Sequence, residues 1–201
     1  MSDHLYLSLW FSDFPADEML PHALRVMRQF PFSAQQPGIS YFALHPVSWT
    51  EPTILEQRFT PAITSEGAIL VASEVLHEDN AYSFEAFWDL WLPAREQAKE
   101  NGEWEQLPSK VNFIVRGTEF DEGAAEQEGH IQVDFGIDSH FLLEEVPLTE
   151  WAEQRVRANI QKLVEFTNNV EKQAGVTTRL LWSESEENFA QKLIARLQRV
   201  Q

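Results

Sequence analysis

The chain has 201 residues, 43% hydrophobic and 12% aromatic, enough apolar surface for one compact domain and too much for a disordered chain. Its 32 Asp and Glu against 15 Lys and Arg give a formal charge of −17, which opposes approach to nucleic acid or an anionic membrane. The absence of cysteine removes thiolate catalysis, disulfides, iron–sulfur clusters and Cys-ligated zinc.

The N-terminus "MSDHLYLSLWFSDF" has neither a basic leader nor a long apolar run, so a cytoplasmic location is expected. Leu5 to Phe11 alternate with period two and read as a strand. From Ala16 to Phe30 the spacing becomes helical through Leu20, Ala23, Leu24, Met27 and Phe30, and Pro21 requires the first turn to lie there. Ile39–Trp49 and Thr53–Phe59 read as two strands, followed by a helix over Ala68–His77 that Thr64 or Ser65 can cap.

"AYSFEAFWDLWLP" (Ala81–Pro93) fits both periods. Tyr82, Phe84, Ala86, Trp88, Leu90 and Leu92 alternate without a break, and the aromatic content and the closing proline favour a strand. The first half then runs β-α-β-β-α-β, the order of a ferredoxin-like unit. The polar stretch 94–108 is the candidate sub-domain boundary in an otherwise single domain, and Trp104 within it is expected to fold back on the body.

Val111–Phe120 and His130–Ile137 alternate cleanly and should pair antiparallel across the acidic "DEGAAEQEG", expected to be a long mobile connection. "SHFLLEEV" can add a short strand. Thr149–Ala174 is the clearest helix, with a capping threonine, acids in the first turn, a stripe of Val156, Ile160, Leu163, Val164, Thr167 and Val170, and Gly175 after it. Val176–Trp182 reads as a strand and the terminus as a helix with Phe189, Leu193, Ile194 and Leu197 inward. The fold class is therefore α+β: a mainly antiparallel sheet with about four helices, a ferredoxin-like first half and a hairpin-plus-helices second half.

No nucleophile elbow, P-loop or dinucleotide fingerprint is present. Two constellations carry chemistry. On the strand reading Glu85, Phe87, Asp89 and Trp91 share the face opposite Trp88 and form a candidate ligand groove. In "HIQVDFGIDSH", His130, Asp134, Asp138 and His140 are candidate ligands for a first-row metal, or a His–carboxylate general base, although the spacing is not diagnostic and a solvated strand face is the plainer reading. No bound cofactor or metal is expected. The leading expectation is a non-enzymatic protein-binding domain whose acidic surface meets a basic protein, with an inhibitor or immunity-type partner as its concrete form; the alternative is a metal-dependent enzyme or small-ligand binder at the His/Asp cluster.

Overall fold

A computed structural model describes residues 3–93, 104–142, 149–184 and 189–198. Seven strands form one antiparallel sheet: β1 (His4–Trp10), β2 (Ile39–Pro46), β3 (Leu55–Ile63), β4 (Asn80–Pro93), β5 (Trp104–Arg116), β6 (Ile131–Ile137) and β7 (Thr178–Ser183), in the order β3-β2-β4-β5-β6-β1-β7. The described helices are α1 (Ala16–Met27), α2 (Ser65–Ser73), α3 (Ala125–Glu128), α4 (Ser139–Leu142), α5 (Glu150–Gln173) and α6 (Phe189–Gln198), with a 3₁₀ turn at Phe120–Gly123.

The α+β class and the β-α-β-β-α-β element order of the first half are present, but the ferredoxin-like arrangement is not. β1 lies between β6 and β7, so the first half forms no sheet of its own. Strand periodicity reports which side chains face inward and is silent about which strand lies alongside. The helix count is six rather than four among the described residues, because two single-turn helices interrupt segments expected to be loop or strand. The acidic connection folds into the 3₁₀ turn and α3, while Ser139–Leu142 is helical rather than a strand. Residues 94–103, most of the candidate boundary, lie outside the described residues; on either side of them β4 and β5 pair as far as Pro93 opposite Trp104, and Trp104 is buried.

The helices cover one face. Leu5, Leu7 and Leu9 of β1, Phe84, Ala86, Trp88 and Leu90 of β4, and Val111, Phe113 and Val115 of β5 are all essentially inaccessible there. Trp88 stacks against Phe30 and Phe135, with ring centroids 5.5 and 5.2 Å away. Helix α5 lays Val156, Ile160, Leu163, Phe166 and Val170 on this core, and the Thr149 hydroxyl accepts the Ala152 N–H at 3.2 Å to open it. Pro21 lies in the second turn of α1 rather than the first, on the exposed side, where water can satisfy the carbonyl its missing N–H leaves free. Ile194 is 53% exposed instead of inward.

β4 outruns β2, whose pairing with it stops at Ala86, and the free edge beyond is closed by other groups. Ser33 N–H donates to the Phe87 carbonyl at 2.7 Å, and Lys162 Nζ donates to that of Asp89. The buried Asn159 amide takes the Trp91 N–H on its oxygen at 2.8 Å and returns an N–H to the Trp91 carbonyl at 2.9 Å, standing in for a neighbouring strand.

Trp88→Ala is expected to cost about 3–5 kcal/mol in a urea titration. Its indole N–H has no partner among the described residues, so Trp88→Phe should cost less, within about 1.5 kcal/mol. An unchanged midpoint for the alanine variant would refute the core placement.

Candidate functional site

Among the described residues no helix packs on the centre of the other face of the sheet. The antiparallel register runs rows across it: Ile114, Gln132, Ser8 and Leu180 in one, Asn112, Asp134, Tyr6 and Trp182 in the next. Arg116 of β5 ends the first row's side of the face with its side chain only 2% exposed. Its Nη2 donates to Glu128 Oε2 and Gln132 Oε1, both at 2.7 Å, and Nη1 to the Gly129 carbonyl at 3.4 Å. Burial lowers the guanidinium pKa, and the Glu128 and Asp121 carboxylates work against that shift.

Three connections meet at the same end of the sheet: 47–54, 77–79 and 117–130. The Val47 N–H donates to the Asp79 carbonyl at 2.8 Å and the Asp121 N–H to the Val47 carbonyl at 2.7 Å. Gly117 N–H reaches the Asn80 carbonyl and Glu119 N–H that of Glu78, at 2.9 and 3.0 Å. Gly117 has to be glycine, because a Cβ there would sit 2.0 Å from the Glu78 oxygen. The non-glycine residues with positive φ among those described are Val47, Asp121 and Glu122, all in these connections, and a β-branched Val47 at φ 58° is held against its own preference.

These connections bring together Glu51, Glu78, Asp79, Glu119, Asp121, Glu122, Glu126 and Glu128, and contain no lysine or arginine. Among the carboxylates stand exposed apolar side chains: Val47 at 55%, Trp49 at 39% and Ile54 at 65% accessible. Trp49 packs edge-on against the buried Phe120 at 5.0 Å and lies 5.8 Å from the Arg116 guanidinium. The result is an apolar centre with an acidic rim on a hydrogen-bonded base.

Glu85, Phe87, Asp89 and Trp91 do share one face of β4, as parity requires, but they are engaged separately. Glu85 accepts from Ser40 and pairs with Lys110 at 3.4 Å. Asp89 anchors the preceding loop through the Ser33 hydroxyl at 2.6 Å and the Ala34 N–H at 3.0 Å. Trp91 lies 3.8 Å from the Arg155 guanidinium, which also faces Trp151 at 4.6 Å.

The four residues of the His/Asp cluster face different surroundings. His130 Nδ1 accepts the Phe11 N–H at 3.1 Å and its ring stacks on Phe14 at 4.5 Å. Asp134, on the open face, holds His4 Nδ1 at 3.1 Å and the Gly136 N–H at 2.8 Å. Asp138 accepts from the Ser183 hydroxyl at 2.8 Å, and the half-buried His140 lines a hollow with Trp104. Among the described residues no group of three or more His, Asp or Glu could hold a metal ion. Gly136, at φ 77°, lies where the β1–β6 register shifts between the Tyr6–Asp134 and His4–Ile137 pairs.

Sequence reasoning passed over Tyr6, Trp49, Arg116 and Trp182. Tyr6 had a signal, since it sits on the outward parity of β1 with Ser8 and Trp10. The pairing of His4 with Asp134 had none.

Comparison with protein-family models, curated proteins and solved structures finds no match for this chain.

Gly117→Ala is expected to destabilise by roughly 2 kcal/mol or more, with hydrogen exchange accelerated first in the three connections. Burial also depresses the pKa of His22, His45 and His130, and brings that of His140 down to about 4. Between an unfolded value near ~6.5 and these lower folded values only the unfolded chain takes up the protons. Their contribution is therefore complete above that value and falls as pH drops through it. His140→Leu should remove roughly 2 kcal/mol of the stability difference between about pH 7 and pH 5, read from urea midpoints.

Proposed function

We propose that this chain is a non-enzymatic protein-binding module of the cytoplasm whose three-connection end captures a basic protein, as an inhibitor or immunity-type partner does when it occupies a cationic surface. One observation carries the reading: the connections that expose Val47, Trp49 and Ile54 carry eight carboxylates and no lysine or arginine of their own, with only Glu128 held by the recessed Arg116, on a base fixed by backbone hydrogen bonds. Trp49 has the features of an interface anchor, being aromatic, supported from behind by Phe120, and flanked by groups that exclude water once covered. The carboxylates accelerate encounter with a cationic surface and select against acidic ones. They equally disfavour nucleic acid. The strain at Val47 is what a surface formed ahead of binding costs, and it spares the partner part of the ordering entropy.

The test pairs two charge reversals of equal size, measured on a basic partner captured by the immobilised chain. Glu119→Lys with Glu122→Lys should weaken binding at least about tenfold, mostly through a slower and less salt-sensitive association. Asp17→Lys with Glu165→Lys, placed on exposed helix faces, should change it by no more than about twofold. Equal losses from both pairs would mean that charge acts only globally and would overturn the assignment. Val47→Gly relieves the strained φ and should leave stability within about 1 kcal/mol while weakening the complex.

A further inference from the structure

Beside the three connections, the open face of the sheet sinks into a hollow of about 400 Å³ lined by Tyr6, Trp49, Arg116, Glu128, Asp134 and Trp182. Arg116 contributes little free charge to it, since its guanidinium is recessed and paired with Glu128 at 2.7 Å. On the far side the balance is different. Asp134 is bonded to His4 and to a backbone N–H, and Glu184 accepts the Tyr6 hydroxyl at 3.2 Å. Neither carboxylate has a lysine or arginine partner among the described residues. Between them lie two aromatic rings in contact, Tyr6 and Trp182, with centroids 4.7 Å apart, and the Trp182 N–H is tied to Ser8 Oγ at 3.1 Å. The field is negative enough to be felt locally: burial chiefly, and then Asp134 and Glu184, hold the Tyr6 hydroxyl well above the usual phenol range.

We infer that this hollow is a recognition site for an arginine side chain, which would stack on Tyr6 and Trp182 while donating to Asp134 and Glu184. The planar guanidinium suits both demands. It stacks on aromatic faces with little loss of hydration, and it presents several donors in a fixed fork, whereas an ammonium offers a compact and strongly hydrated charge. A protein-borne arginine is favoured over a free small molecule because the hollow shares Trp49 and Glu128 with the acidic connections, so one partner surface can cover both. The inference thereby rests on the basic-partner reading and narrows it to a partner with an exposed arginine beside its main cationic patch.

The hollow can be tested without the partner. Nα-acetyl-arginine amide is titrated into the full chain while the tryptophan indole N–H resonances are followed, with the uncharged isostere Nα-acetyl-citrulline amide as control. Saturable shifts at Trp182 are expected for the arginine amide, with citrulline bound at least about tenfold more weakly. Asp134→Asn should weaken the arginine amide about fivefold or more. Glu184→Gln, at an exposed position, gives a second variant that keeps the fold if loss of the His4 contact disturbs the first. No saturable shift, equal binding of citrulline, or indifference to both substitutions would overturn the site.

A partner arm separates the two claims. If Glu119→Lys with Glu122→Lys abolishes capture while Asp134→Asn and Glu184→Gln leave it intact, the inference falls and the protein-binding reading survives. If arginine amide binds as expected but no basic partner responds to the connection variants, the site stands and that reading falls.

Discussion

Strict alternation along β4 is the constraint on which the rest of the molecule depends. Over fourteen residues it sends Tyr82, Phe84, Ala86, Trp88 and Leu90 to one side and Ser83, Glu85, Phe87, Asp89 and Trp91 to the other. The first set is the wall against which Phe30, Phe135, Phe141 and Phe166 close, so α1, α4 and α5 are drawn to that side. A shift of one residue in its register with β2 or β5 would bury Glu85 and Asp89 and expose Trp88. The pairing of thirteen residues with β5 prevents this.

With α1, α4 and α5 on one side, the sheet manages the centre of its other face with side chains. It does so by laying aromatic and polar groups in cross-strand rows and by sinking the buried cation Arg116 beneath Glu128. A single-sided sheet of this kind keeps a broad surface available for a partner. The connections at one end add charge to that surface and the strand rows add shape, and Trp49 and Glu128 take part in both.

Local chemistry was legible in the sequence to the extent that it was periodic. Trp88 announced its burial by parity, Thr149 its helix by the acids that follow, and Gly175 the end of the same helix at φ 75°. The order of strands was not legible, because no pattern within Leu5–Phe11 says that its neighbours are β6 and β7. The His/Asp cluster misled for a related reason. Nearness in sequence suggested convergence, yet His130, just before β6 begins, stacks on Phe14, while Asp134 within the strand meets His4, which lies 130 residues away. The acidic end was half visible: the carboxylates of 119–128 are contiguous, but their meeting with Val47, Trp49 and Glu78 depends on backbone bonds between distant connections.

The position of β1 has a temporal consequence. It is made before the other six described strands, yet both its neighbours, β6 and β7, belong to residues 131–183. The backbone hydrogen bonds of Leu5, Leu7 and Leu9 must wait until residues 131–183 have been synthesised. The nascent chain thus carries an apolar strand without a home for the greater part of its synthesis, a form that invites chaperones and pairs readily with other unfinished copies. Completion of β7 closes the sheet around β1, so the finished sheet is held shut by the strand of it that was made earliest.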